Sequence, residues 1–357
     1  MWIEAGKPST ALDFAAQVLA AVQPPPGTRH AGTVAVNWAS NNFQITHQKT
    51  VLIDAHRGDG LLSQPLPARA QAHVLTGNLL AYGYNTGHPA SCPAPCAFWT
   101  ARDFYIKLTE PRLVGEIQRV FNSDFSCAGT TVTNGLRDTP LPLTWSNGST
   151  GEPIAAAAHY PASGVYPPFP GSPSSGSGRD EGNVRQRMLR VIAQAQRDLD
   201  VYNEEMADPE LIDALAVAAP RLLAAGGLLR IVMTDNSAYH AAFNQLTAAG
   251  AAVHLFTKAS GVLYIHAKVL MADGKTAYIG STNISSDSMN YNRELGLLID
   301  QQPTLLAPVR RSFEADFKQG LAWQVKALPP TSSPSPTSSP KLAQVCGAIL
   351  PASAAAR

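Results

Sequence analysis

The sequence predicts an α/β protein with layered sheets built around a duplicated polar motif. Three observations predict it. Residues 183–318 alternate helical and strand periodicities, the mark of sheets covered by helices. His266, Lys268 and Asp273 repeat the spacing of His47, Lys49 and Asp54. A stretch rich in Gly, Ser, Thr and Pro, residues 126–181, lies between the two copies.

Taken in order, residues 10–22 space their apolar side chains at helical intervals, and the PPPG at 24–27 ends that helix. Residues 32–38 and 43–54 have strand character, and the second run carries His47 and Lys49 between apolar neighbours, with Asp54 closing it. A loop over 55–71 leads to a strand that ends Leu75-Thr76-Gly77-Asn78, and a further strand follows over 102–108 with Asp103 near its start. In the second half, helices are expected over 183–197, 209–225, 238–249 and 305–318, with strands over 199–206, 228–234, 251–257 and 292–300. Residues 264–283, YIHAKVLMADGKTAYIGSTN, read as a hairpin turning at Asp273-Gly274, and a short helix follows near 285–289. The tail from 326 to 357, with its PPTSSPSPTSSPK run, is low in complexity and is expected to be disordered.

The chemistry concentrates in the repeat. Period two puts His266 and Lys268 on one face of a strand, and the same holds for His47 and Lys49. A single HxKx4D match is weak, since a chance occurrence in a chain of 357 residues is on the order of a few per cent. Two matches are far rarer, and each is followed by hydroxyl-x-Asn: Thr76 and Asn78 in the first copy, Ser281 and Asn283 in the second. Asp103 and Glu294 then occupy matching places downstream. Imidazole, ammonium, hydroxyl and amide donors converging on one point suit a phosphate. Asp54 and Asp273 are read as turn residues, since Asp favours such positions. Glu204 and Glu205 end the first strand of the second half, where a parallel sheet tends to place ligand contacts; the sequence reading takes them as a solvated pair.

The bulk numbers exclude little. With 45% hydrophobic residues and a net charge of +1, the chain can bury a sizeable core and shows no strongly basic nucleic-acid surface. No run of apolar residues is long enough for a membrane span; the nearest, 211–233, is broken by Asp213, Pro220, Arg221 and Arg230. Glu4 and Lys7 stand where a signal peptide needs a basic start and an apolar centre, so the chain as given carries no export signal. Cys92, Cys96, Cys127 and Cys346 lack zinc spacing, and their pairing is left open.

Two HxKx4D motifs with hydroxyl-x-Asn strands, most fully IHAKVLMADGKTAYIGSTNISSDSMNYNREL, strongly resemble the phospholipase D superfamily, and that segment is similar to bacterial cardiolipin synthases. The resemblance covers residues 30–125 and 182–320. It implies two phospholipase D-like α/β/α sandwich halves forming a pseudo-dimer: 1–125 as a first, N-terminally shortened half, 126–181 as linker or insertion, 182–325 as the second half, and 326–357 as tail. It further implies a phosphodiesterase that hydrolyses phospholipid head groups, with possible transfer to an alcohol, through a phosphohistidine. His47 is then assigned to attack and His266 to acid–base work, with Asp103 and Glu294 orienting the imidazoles. Lys49, Lys268, Thr76, Asn78, Ser281 and Asn283 hold the phosphate, with no metal or other cofactor required. The implied partner is a phospholipid met by peripheral membrane contact. If the N-terminus is truncated, an extracytoplasmic location, periplasmic or secreted, is expected. Alternatives are phosphatidyl transfer of the cardiolipin synthase type, a nuclease, for which the neutral charge is unfavourable, and a non-catalytic binding protein with a degenerate first half.

Overall fold

Two periods of apolar residues, 3.6 and 2, organise the second half, and each side chain so placed finds one of two cores. The computed structural model of the protein describes residues 2–3, 37–38, 47–55, 68–78, 100–111, 113–115, 117–118, 121, 151–153, 184–259, 262–290 and 292–325. The first part supplies strands β1 (Trp2–Ile3), β2 (Asn37–Trp38), β3 (Thr50–Ile53), β4 (Gln71–Leu75), β5 (Thr100–Arg102), β6 (Tyr105–Leu108) and β7 (Gly151–Pro153). Then come α1 (Val184–Gln194), β8 (Asp198–Tyr202), α2 (Pro209–Ala224), β9 (Leu228–Thr234), α3 (His240–Ala248) and β10 (Ala252–Phe256). The chain continues through β11 (Leu263–Ile265), β12 (Val269–Ala272), β13 (Thr276–Gly280), α4 (Ser286–Asn290), β14 (Gly296–Ile299), α5 (Pro303–Gln319) and β15 (Leu321–Ala322).

Eight strands form the central sheet in the order β15-β10-β9-β8-β12-β13-β14-β7. β10, β9 and β8 run parallel, as strand–helix–strand connections require, and β12, β13 and β14 follow as antiparallel neighbours. Alternation along β12 shows how the sheet is sandwiched. Leu270 and Ala272 face the core that holds Val184, Met188, Leu215 and Phe243 of α1 to α3, while Val269 and Met271 face the core that holds Leu306, Val309 and Phe313 of α5. The second core also takes in Ala72 and Val74 of β4, so the antiparallel β3-β4-β6 sheet packs on the α5 side. Local signals set the helix ends. Asp208 caps α2 by accepting from the Leu211 N–H at 3.1 Å, Pro209 opens it, and the chain turns out through Gly226 at φ +73°.

Several expectations change. The predicted hairpin turning at Asp273-Gly274 is present as β12 and β13 but starts later than expected: β11 pairs in parallel with β5, outside the central sheet, and the chain changes ladders before β12 joins β8. His266 and Lys268 therefore lie in the irregular segment between two strands that serve different partners. The strand expected to reach residue 206 stops at Tyr202, and Asn203 to Glu205 leave the sheet at its C-terminal edge. Within the stretch read as a linker, Gly151–Pro153 adds an edge strand to β14, an edge being where Pro can sit in a sheet. The helix expected over 10–22, the four cysteines, most of 126–181 and the tail from 326 lie outside the described residues.

A buried ionic joint ties the first part to the second. Asp316 of α5, 1% exposed, accepts from Arg102 Nε at 2.6 Å and Nη2 at 2.9 Å and from the Tyr202 hydroxyl at 2.6 Å. Beside it Arg230 makes a bidentate pair with Asp200, at 2.7 and 2.9 Å, and lies over the rings of Phe313 and Phe317. Removing one member of such a pair strands its buried partner. Asp316→Ala is expected to cost about 3–5 kcal/mol of stability in urea unfolding, and Tyr202→Phe about 1–2 kcal/mol, because Asp316 keeps its guanidinium.

Candidate functional site

Each motif ends on an aspartate that shapes the backbone. Asp54 and Asp273 both adopt a left-handed φ of 53°, a conformation Asp tolerates better than most residues. The Asp273 carboxylate accepts the backbone N–H groups of Gln196 and Arg197 at 2.9 Å and of Asp198 at 3.0 Å, fixing the entry to β8. Burial would raise its pKa, but those three donors outweigh burial and hold it below the usual range. Asp54 meets Arg69 at 2.9 Å on the surface. Neither points into the cluster formed by the histidines.

The histidines are held across the repeat. His47 Nδ1 lies 2.9 Å from Glu294 Oε2, and His266 Nδ1 lies 2.9 Å from Asp103 Oδ1. Each imidazole of one motif is therefore oriented by the carboxylate that follows the other. The backbone repeats the exchange: the His47 N–H donates to the Arg293 carbonyl at 2.9 Å, and the His266 N–H donates to the Arg102 carbonyl at 3.2 Å. Each carboxylate has a hydroxyl behind it. Thr76 Oγ1 donates to Asp103 at 2.8 Å and accepts the Phe104 N–H at 2.8 Å; Ser281 Oγ donates to Glu294 at 2.5 Å and accepts the Leu295 N–H at 3.0 Å. The resemblance assigns both hydroxyls to the phosphate. Each is instead 0% exposed and spent on a carboxylate, because a buried acceptor needs donors more than a solvated phosphate does. Gly77 makes the first of these pairs feasible, since a Cβ there would run into the Asp103 carboxylate.

Glu294 is fully buried. Ser288 Oγ donates to it at 2.8 Å and Asn292 Nδ2 lies 3.4 Å away. Burial pushes its pKa up, yet the charge and hydrogen bond of His47, then Lys49 and Ser281, more than compensate and keep it low.

The two lysines differ. Lys268 is 0% exposed and donates to Glu204 Oε2 at 2.9 Å and to the His266 carbonyl at 2.5 Å. Lys49 is also buried, but its Nζ has no hydrogen-bond partner among the described residues. Burial first, and repulsion from Lys268 second, pull the Lys49 ammonium down to about 7; Glu294, Glu204 and Asp103 act against them. Lys49 thus senses the charged groups around both histidines and is tied to none. Asn283 is buried with no hydrogen-bond partner for Oδ1 among the described residues, whereas Asn78 is exposed.

Glu204 was read from the sequence as one of a solvated pair, and the structure corrects that. Its carboxylate meets Lys268, accepts from the Tyr264 hydroxyl at 2.7 Å, lies 3.4 Å from His266 Nε2 and 3.4 Å from Asn283 Nδ2. Burial raises its pKa, but Lys268 and His266 outweigh burial and hold it at about 2. The available signal was its place at the end of the first parallel strand of the second half. Tyr264, Ser288 and Asn292 carried no such signal.

Two imidazoles with oriented Nδ1 atoms, one paired and one unpaired buried ammonium and an amide form a site fit for an anionic tetrahedral group. Among the described residues, no group of three His, Cys, Asp or Glu is disposed to hold a metal ion, and no helix is long and apolar enough to cross a membrane. Residues 188–317 match the family described as cardiolipin synthase, phospholipase D-like domain. Cardiolipin synthase 1 of Bacillus anthracis is 27% identical over 151 residues, and that of Bacillus cereus 26%; each match spans 41% of this chain and 28% of the relative. The phosphatidylserine synthase of Haemophilus influenzae shares the fold, with a TM-score of 0.55, 14% identity and coverage of 88% of this chain and 70% of that one.

The unpaired Lys49 has a measurable consequence. Its pKa is lowered from 10.5 to about 7, so between those values the unfolded chain keeps a proton that the folded chain releases, and stability rises with pH across the window. Below about pH 7 the buried charge is carried in full. Lys49→Met is therefore expected to raise the melting temperature, by on the order of a few kcal/mol of stability at about pH 6, with the gain shrinking towards about pH 10. Thermal melts of the two proteins at the two pH values measure it.

Proposed function

We propose that this chain, which belongs to the phospholipase D superfamily, cleaves a phosphodiester of a phospholipid through a phosphohistidine on His47. The observation that supports the reading is the crossed pairing of His47 with Glu294 and of His266 with Asp103, around the unpartnered Lys49. In-line displacement at phosphorus needs a nucleophile and an acid on opposite sides, and two related halves, 1–125 and 182–325, facing each other as a pseudo-dimer would supply them. With Nδ1 protonated and held by Glu294, His47 presents the Nε2 lone pair for attack. The new N–P bond forms as the P–O bond to the head group breaks, and the leaving oxygen takes a proton from His266. Water then loses a proton to His266 as its oxygen attacks phosphorus. The N–P bond breaks with its electron pair returning to His47, giving phosphatidic acid. Lys49, Lys268 and Asn283 neutralise the non-bridging oxygens throughout.

A second reading differs in the last step only: an alcohol replaces water, giving phosphatidyl transfer. The matched family and the Bacillus relatives, which bear the name cardiolipin synthase, favour it. In either case the protein would meet its substrate by peripheral contact with a bilayer.

Vesicles of phosphatidylcholine or phosphatidylglycerol, with and without ethanol and chelator, decide among the readings by mass spectrometry. Phosphatidic acid formed in the presence of chelator is the expected product. Cardiolipin from phosphatidylglycerol would put transfer first, and cleavage of single-stranded DNA in a parallel reaction would replace the lipid reading. His47→Asn and His266→Asn are each expected to lower turnover by about 10³-fold or more, and acid-quenched protein should carry phosphorus on His47 in the wild type only.

A further inference from the structure

We infer that Glu204 is a positioning residue that gives the two histidine–lysine pairs unequal tasks: it clamps Lys268 and Nε2 of His266 in the free protein, commits His266 to proton donation, and leaves Lys49 as the cation that first meets the phosphate. The inference rests on the reading of His47 and His266 given above. It starts from an asymmetry that the repeat does not explain. The backbone and carboxylate bonds of the two motifs match partner for partner, but the lysines do not match. Lys268 Nζ has Glu204 at 2.9 Å, and Lys49 Nζ has no hydrogen-bond partner among the described residues.

The ring nitrogens differ in the same way. His266 stands between two carboxylates, with Asp103 at 2.9 Å from Nδ1 and Glu204 at 3.4 Å from Nε2. An imidazole nitrogen facing a carboxylate is favoured when it carries hydrogen, since a lone pair there would oppose the acceptor oxygens. At His47 only the Nδ1 side has a carboxylate among the described residues, and its Nε2 stays available for attack. Geometry alone thus separates a donor histidine from a nucleophile.

Glu204 is itself held firmly enough to act this way. The Tyr264 hydroxyl fixes Oε1 at 2.7 Å, while Oε2 takes Lys268 and faces His266 and the Asn283 amide. Glu204 also interacts electrostatically with Tyr239 and with Lys49. A phosphodiester entering the site competes with Glu204 for Lys268. Lys49 has no such competitor, which orders the contacts: Lys49 first, then Lys268 as Glu204 gives way on that side.

Glu204→Gln keeps the size of the side chain and an oxygen for Tyr264 while removing the charge. Two readouts test it. Inorganic phosphate, titrated calorimetrically at neutral pH, is expected to bind about 5–10-fold more tightly to the variant, because a competing anion is gone. Turnover of phosphatidylcholine, whose alcohol must be protonated on departure, should fall at least about 10-fold more than turnover of phosphatidyl-p-nitrophenol, whose leaving group departs as the anion. Glu204→Asp, which retains the charge, should recover part of that ratio and serves if the amide variant does not fold. Weaker phosphate binding, or equal losses on both substrates, would overturn the inference, since a merely structural role predicts both. A wild-type protein that turns over neither substrate overturns the function reading, and the phosphate titration then decides the clamp by itself.

Discussion

The site depends on an exchange of carboxylates. His47 has no orienting acid in its own motif, and neither has His266; Glu294, just before β14, and Asp103, between β5 and β6, arrive from the segments that follow the opposite copy. The same two segments lend their backbone, since the carbonyls of Arg293 and Arg102, each one residue before the carboxylate, receive the N–H groups of the two histidines. A histidine ring aimed by a carboxylate is also fixed in tautomer, with the hydrogen on Nδ1. Neither histidine is therefore oriented without the other motif, and whatever holds β5 against β11 and α5 against Arg102 also holds this exchange in place.

That dependence explains why so much charge is buried here. Glu294, Arg293 and Lys268 are each at most 1% exposed, and a lone ion at such depth would be neutralised or expelled. Glu294 remains ionised because a serine, a histidine and two further polar side chains surround it. Lys268 has its donors taken up by Glu204 and a backbone carbonyl. Lys49 is the exception, buried with no hydrogen-bond partner for its Nζ among the described residues and correspondingly easy to deprotonate. A buried cation without a partner is a costly feature in a protein that only needs to fold. Under the proposed function, a phosphate oxygen arriving at Nζ would turn that cost into binding energy.

Much of this was legible in the sequence where it rests on repetition. The doubled HxKx4D spacing named both histidines and both lysines, the matching downstream acids named Asp103 and Glu294, and the alternation of periods placed the helices and the parallel strands of the second half to within a few residues. What periodicity could not carry was the choice of partner. A pattern of two says that His266 and Lys268 share a face, but not that the ladder changes from β5 to β8 between Ile265 and Val269. Nor could spacing decide what a hydroxyl does: Thr76 and Ser281 stood in register with the asparagines and were given the same task, whereas burial behind a carboxylate assigns them another. Glu204 was visible as a residue at a strand end, but its importance comes from contacts with positions 60 to 79 residues away in sequence.

The hydroxyls also account for a difference between the copies. The first reads Leu-Thr-Gly-Asn where the second reads Gly-Ser-Thr-Asn, so the glycine follows the hydroxyl in one and precedes it in the other. In the second copy Gly280 lies against Gly296 on the neighbouring strand, and a Cβ there would collide with backbone. In the first copy it is Gly77, after the hydroxyl, that must stay small, because the Asp103 carboxylate lies over it. The shorter Asp and the longer Glu thus approach their hydroxyls from different distances, and the glycine sits wherever the acid or the strand bearing it comes closest. Sequence identity between the copies fails at these positions, but the bond sequence hydroxyl to carboxylate to imidazole is kept in both. The constraint acts on that chain of hydrogen bonds, and the backbone adjusts to deliver it.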